Sequence, residues 1–247
     1  MRDLHMHTVF SDGKDTAEEM VLSAIGMGLD TVGISEHSPT DYDDCGMKPE
    51  TEPLYRAEMA RLKDKYGDRI TVLCGLERDY WSEITGEYDY VIGSVHALKM
   101  PDGHHVTVDW TPDRLENWVC QYFGGDWYAL AEAYYELEAD VVRKTRCDII
   151  GHFDLITKFN EKGHYFDENH PRYVAAWQKA ADALLKTGKP FEINTGAMSR
   201  GWRTSPYPSE PIREYLKACG ATQILSSDSH CRENIAYQFK NWTDLAP

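Results

Sequence analysis

The feature that most constrains this chain is a repeated one. Short, continuous apolar runs, most of them ending on a histidine or a carboxylate, alternate with amphipathic stretches. The runs fall at 2–7, 31–37, 70–77, 88–96, 147–152, 190–195 and 222–230. Stretches such as VGIS, TVLCGL, YVIGSV and DIIG lack polar alternation, the pattern of strands covered on both faces of a parallel sheet. Helical signals lie between them. Thr16 and Glu19 have capping-box spacing and open a helix that ends near Gly28. A second helix spans 53–66 and stops at Gly67, and 111–146 holds one or two helices broken around Gly124 and Gly125. Helices at 171–186 and 209–219 carry an early proline and a following glycine. The stretches 40–52 and 99–110 read as loops. About seven strands alternating with helices predict an α/β fold, either a β/α barrel or an open sheet.

The reactive residues discriminate between the two. His5 and His7 alternate along the first strand and therefore share a face. Asp12 follows in the next loop. His37, Glu77, His96 and His152 close the second to fifth strands, and Asp228 and His230 close the last. In a barrel the carboxyl ends of the strands surround one mouth, where such residues meet. In a flat sheet the first and last strands are far apart. Taken singly, a histidine at a strand end is more often a hydrogen-bonded structural residue than a ligand. His104, His105, His164 and His170, which fall in loops without pattern, take that reading. Joint placement of six histidines and three carboxylates predicts a shared metal site.

Imidazole and carboxylate suit zinc, manganese or iron, and the absence of cysteine from these motifs argues against a structural zinc cage. Nine ligands exceed the roughly four that a tetrahedral ion takes, so two to three divalent transition metals are expected, with Glu77 bridging. Three such ions outweigh the charge of three carboxylates, and the surplus suits a phosphate dianion. Metal-activated water supplies a nucleophile at neutral pH, and phosphoester hydrolysis is the favoured reaction class.

Composition limits the rest. A chain of 247 residues with 42% hydrophobic and 27% charged residues can bury a sizeable core, and without a linker or repeat it reads as a single domain, 1–247. The net charge of −15 repels polyphosphate and argues against nucleic-acid coating. No apolar run approaches a membrane span. The N-terminus, MRDLHMHTVFSDG, lacks the apolar core of a secretory signal. Six cysteines without CxxC pairs predict reduced thiols and a cytoplasmic location.

The motifs HMHTVFSDG, SEH (35–37), GLE (75–77), SVH (94–96), GHFDL (151–155) and SDSH (227–230) run in order along nearly the whole chain. Together they resemble the PHP (polymerase and histidinol phosphatase) superfamily. The resemblance implies a distorted seven-stranded β/α, TIM-like barrel with a trinuclear centre. One metal would take His5, His7, Glu77 and Asp228, and a second would share Glu77 and take His96 and His152. The third would take Asp12, His37 and His230, placed to assist catalysis. The chain is most similar to the stand-alone histidinol-phosphatases, partly through segment 192–208, EINTGAMSRGWRTSPYP. This implies hydrolysis of L-histidinol phosphate in histidine biosynthesis.

Arg200 is the expected phosphate clamp, with Arg203 a weaker candidate and Lys158 a further contact. Some relatives carry arginine where this chain has Thr157, which leaves another substrate open. Asp41, Asp43 or Asp44 would meet the rest of the substrate. The alternatives are a phosphoesterase for another small metabolite or nucleotide, an amidohydrolase-like barrel, and a non-catalytic metal-binding module.

Overall fold

Why the first and last strands of this chain must touch is visible in the hydrogen bonds between them. In the computed structural model, which describes residues 1–83 and 86–243, seven parallel strands form one sheet that curls until its edges meet. The elements run β1 (Arg2–Asp3), α1 (Ala17–Gly26), β2 (Thr31–His37), α2 (Glu52–Tyr66), β3 (Thr71–Asp79), β4 (Tyr90–Ser94), β5 (Ala97–Lys99) and β6 (His105–Thr107). They continue with α3 (Pro112–Phe123), α4 (Trp127–Glu138), α5 (Val141–Thr145), β7 (Ile149–Ile150), α6 (Asn160–Gly163), α7 (Pro171–Leu185), β8 (Phe191–Asn194), α8 (Gly196–Ser199), α9 (Glu210–Ala218) and β9 (Gln223–Ser226). The sheet order is β1-β2-β3-β4-β7-β8-β9. A parallel bridge between Met6 and Ser229 joins the two ends. There the His7 amide donates to the Ser229 carbonyl (2.8 Å) and the Ser229 amide to the His5 carbonyl (3.2 Å). The buried Asp3 carboxylate accepts from the amides of Ser227 (3.0 Å) and Ala236 (2.9 Å), pinning β1 to the segment after β9.

Apolar side chains sort into three bodies. Leu4, Tyr90, Ile92, Ile149 and Ile224 plug the barrel interior. The helices on its outside form two sectors, one around α1 and α2 and one around α3, α4, α7 and α9. The Tyr90 ring crosses the interior to donate to the Leu4 carbonyl (2.5 Å). Gly33 and Gly75 make room for it, since a Cβ on either would lie 2.3 Å from that side chain. Helix starts follow the sequence signals. The Thr16–Glu19 capping box is complete, and Thr111 caps α3.

Three expectations are corrected. Segment 111–146 contains three helices rather than one or two, because Asp126 caps a new start after the left-handed Gly124 and Gly125, and Arg146 ends a further short helix. Segment 99–110 is not a plain loop, for β6 pairs antiparallel with β5 through Lys99↔His105 and Ala97↔Thr107. β1 and β7 are two residues each, far shorter than their apolar runs, and past β1 the pairing continues as the isolated bridge of Met6 with Ser229 rather than as a regular ladder.

Replacing Asp3 with Ala leaves two buried amides without acceptors. It is expected to cost about 2–5 kcal/mol, read as a lower urea midpoint at constant m-value. A change within about 0.5 kcal/mol would show that the seam does not rest on this carboxylate.

Candidate metal centre

All nine sequence-predicted ligands arrive at the carboxyl-terminal mouth. His5 and His7 follow β1, His37 is the last residue of β2 and Glu77 sits near the end of β3. His96 and His152 lie two residues beyond β4 and β7, and Asp228 and His230 follow β9. Glu77 is at the middle. Its Oε2 lies 3.2 Å from His5 Nε2, 3.5 Å from His7 Nε2 and 2.7 Å from His37 Nδ1. Its Oε1 lies 3.3 Å from His96 Nε2 and 2.9 Å from His152 Nε2, and it accepts from the Ser94 hydroxyl (2.7 Å). Five imidazoles thus surround one buried carboxylate. Asp228 Oδ1 stands 3.5 Å from both His7 Nε2 and His230 Nδ1, and Asp12 Oδ1 is 3.2 Å from His230 Nε2 and 3.6 Å from His37 Nε2. Asp228 adopts a left-handed backbone (φ 49°), a conformation non-glycine residues hold only when the surroundings enforce it.

The donor set fits divalent ions. Ligand atoms come within 4.8 Å of one another in three groups: His5, His7 and Asp228; His37, Glu77 and His96; and His7, Asp12, His37 and His230. His5 Nε2, both His7 ring nitrogens and Glu77 Oε2 are buried without a hydrogen-bond partner. Protein interiors rarely leave such atoms unsatisfied, and cations would satisfy them.

The electrostatics agree. Burial opposes charge on Glu77, yet His5, His37 and His96 outweigh it and hold its carboxyl well below the ordinary range. Burial also opposes charge on His5, but Glu192, Glu77 and Asp228 raise it well above the usual imidazole value. His37 is pushed up to about 9, with Glu77 and Asp12 overcoming burial. His7, driven down by burial and by neighbouring His37 and His230, is held neutral.

Two supporting carboxylates escaped the sequence reading. Glu192 Oε1 is 2.7 Å from His5 Nδ1 and accepts from the Ser226 hydroxyl, while its Oε2 accepts the His152 amide (3.0 Å). Asp79 Oδ2 is 3.3 Å from His96 Nδ1. Both orient imidazoles through the nitrogen away from Glu77, as carboxylates behind metal-binding histidines do. The available signal for Glu192 was a charge between the apolar residues Phe191 and Ile193 of a buried strand.

Above the cluster lies a cavity of about 260 Å³. Arg200, which ends α8, lines it. Its Nη2 pairs with Asp228 Oδ2 and its Nη1 with His230 Nδ1, each at 3.0 Å, while the side chain stays 30% exposed. Lys158 also lines it, held by the Asp109 carbonyl (2.8 Å) and carboxylate (3.1 Å). Arg203 does not. Its buried guanidinium donates to the Thr157 hydroxyl and the Ser205 carbonyl and covers the Tyr207 ring at 4.8 Å, so the turn after α8 directs it inward as a structural brace. Of the acidic loop residues, Asp43 lines this cavity, Asp41 lines a neighbouring one, and Asp44 lines neither. His104 stacks on Tyr122, His105 on Tyr42, and His170 caps α7.

The chain is similar to known proteins. A family model described as PHP domain matches residues 3–196. A probable histidinol-phosphatase of Schizosaccharomyces pombe is 30% identical over 243 residues, covering 90% of this chain and 77% of its own length. One from Deinococcus radiodurans is 30% identical over 253 residues, covering 96% and 89%. A solved Listeria monocytogenes protein, described as a candidate histidinol phosphatase, superposes with a TM-score of 0.85 at 22% identity over 98% of this chain and 100% of the other. Histidinol phosphate phosphatase from Lactococcus lactis, solved with zinc, L-histidinol and phosphate, gives 0.75 at 22% identity over 99% and 91%. At that identity the two structures speak to the barrel fold.

Two outcomes are expected. Because His37 keeps its proton up to about pH 9, a metal ion must displace it, and affinity should rise about tenfold per pH unit for each proton lost. Chelator competition between pH 6.5 and 8.5 reads this, and a flat profile would contradict it. Glu192→Gln, which removes the charge behind His5, should lower metal affinity at least about tenfold in the same assay.

Proposed function

Because the chain belongs to the PHP domain family, we propose that it is a metal-dependent phosphomonoesterase that hydrolyses L-histidinol phosphate to L-histidinol and phosphate. The carrying observation is the gathering of nine imidazole and carboxylate groups, with Glu77 at their centre, beneath a cavity edged by Arg200 and Lys158. The names of the two relatives and the product found in the Lactococcus lactis structure support the substrate. Residues 1–247 are read as one domain, since Asp228 and His230 lie beyond the family match and yet face His7 and Asp12. The six free cysteines fit a reducing compartment, read here as the cytoplasm. Among the described residues, no helix is long and apolar enough to cross a membrane.

In this reading His5, His7, Glu77 and Asp228 hold one ion, and Glu77, His96 and His152 a second. Asp12, His37 and His230 hold a third. Zinc, manganese and iron all suit this donor set. When bound, the ions supply Lewis-acid charge and an activated water.

The chain's own residues do the rest. Arg200 neutralises Asp228 through one nitrogen and has exposed guanidinium left to grip phosphoryl oxygens. Lys158, anchored by Asp109, adds a fixed positive charge at the same wall. With two ions bound, Asp12 and His230 form a hydrogen-bonded pair at the rim. Burial opposes charge on Asp12, but His37 and His230 keep its carboxyl well below the ordinary range. Asp12 is therefore an anion held against His230 Nε2, and where no third ion intervenes the pair would stand ready to neutralise charge on the departing alcohol. His5 and His7 are fully buried beneath the cavity.

The test is phosphate release by metal-loaded protein from L-histidinol phosphate, set against other phosphomonoesters and phosphodiesters. Arg200→Met is expected to lower kcat/KM about 10–100-fold, mainly through KM, whereas Arg203→Met should lower the melting temperature instead. Equal kinetic loss in both variants would remove Arg200 from the clamp. No phosphate release from L-histidinol phosphate would end the substrate assignment.

A further inference from the structure

The cavity above the histidine cluster does not end at Arg200 and Lys158. It meets a second cavity of about 320 Å³, and Tyr42, Thr107 and Trp110 line both. Three buried polar atoms at this junction have no hydrogen-bond partner: the Tyr42 hydroxyl, Thr107 Oγ1 and His105 Nε2. Thr107 is only 4% exposed. An unsatisfied buried hydroxyl costs about 1–3 kcal/mol, so three together mark a place shaped for a hydrogen-bonding guest. The wall is stiff. Tyr42 stacks on His105 at 4.6 Å, Trp81 packs its edge against His105 at 5.7 Å, and the Trp81 indole donates to the Ala97 carbonyl (2.8 Å).

The charge here has a definite sign. Asp43 lines the cavity and is fixed by the Thr40 hydroxyl (3.1 Å) and the Cys45 amide (3.0 Å), both on Oδ1. Asp79 and Asp109 line the same cavity, and Lys158 offsets only Asp109. Burial and then these carboxylates push the Tyr42 phenol well above its ordinary range, a measure of the negative potential at its hydroxyl. The cations of the second cavity are drawn onto rings. Arg114 lies over Trp110 at 4.2 Å, and Lys99 over Trp81 at 5.9 Å.

The geometry points to Tyr42, Asp43 and Thr107 as the subsite for the alcohol part of the phosphomonoester, selecting a positively charged, hydrogen-bonding alcohol over a neutral one of the same size. This rests on the phosphatase reading above and deepens it by naming the specificity residues. With its phosphate at the histidine cluster, an ester extends past Lys158 to the junction. There an ammonium or protonated ring finds Asp43 and the free hydroxyls. A neutral alkyl group leaves all three polar atoms unpaired, and sites built to hydrogen-bond a substrate group discriminate strongly against analogues without it.

The test compares O-phosphoethanolamine with propyl phosphate, a nearly isosteric pair differing in charge, on manganese-loaded protein, together with L-histidinol phosphate. The ratio of kcat/KM for the cationic ester to that for the neutral one should favour the cation in the unaltered protein. Asp43→Asn keeps the Oδ1 acceptor and removes the charge, and should lower that ratio about tenfold. Tyr42→Phe should lower it in the same direction, and it carries the test alone if the melting temperature shows that the Asp43 variant is unfolded. No preference in the unaltered protein, or equal losses on both esters in the variants, would overturn the subsite. If L-histidinol phosphate is not hydrolysed while the ratio behaves as stated, the named substrate falls and the subsite stands. If no phosphomonoester is hydrolysed, both fall.

Discussion

A single buried carboxylate ringed by five imidazoles is the interaction on which this structure depends. Burying an ionised carboxylate costs several kcal/mol unless charge and hydrogen bonds compensate it. Glu77 is compensated by side chains from β2, from the loops after β1, β4 and β7, and by the Ser94 hydroxyl. No local segment could provide that surrounding. Only a sheet rolled far enough to bring Met6 beside Ser229 sets His5 and Asp228 on the same centre. The charge arrangement and the barrel are therefore one requirement, and Glu192 and Asp79 extend it outward by fixing the rings that face Glu77.

Much of this was legible in the chain itself. β2 occupies 31–37 as its pattern indicates, and the capping box, the proline starts and the breaks at Gly124 and Gly125 mark helix ends that exist. The ligand positions were readable because each closes an apolar run, and the barrel gathers such ends by topology. What was not legible depends on how the chain turns after a strand. Arg200 and Arg203 are three residues apart in one segment with the same chemistry, yet one faces the mouth and the other braces Thr157. The short helix α8 decides that, and its four residues leave no periodic trace. The β5–β6 hairpin was missed for the same reason, its strands being three residues each. Glu192 was hidden differently: its role exists only once β8 lies between β7 and β9.

The molecule separates rigidity from selectivity. Beneath the ligands, Leu4, Tyr90, Ile92, Ile149 and Ile224 form a close-packed floor that ties β4, β7 and β9 to the segment after β1. Above them, the loop after β2 and the segment after β6 build the walls, fastened by Lys158 to Asp109 and by Tyr42 on His105. Substitutions in those walls change what enters while the floor and the ligand ring keep their geometry, as expected where function is carried on loops over a rigid scaffold.

The span of the ligands along the chain has a consequence for how the site assembles. His5 and His230 lie 225 residues apart, and Asp228 and His230 are needed to complete two of the three ligand groups. Of the three, the His37, Glu77 and His96 group needs nothing from that last segment, whereas the other two stay partial until it is in place. Ions held by those two groups would favour the closed barrel over any state in which its seam is open, so their binding free energy would add to the stability of the fold.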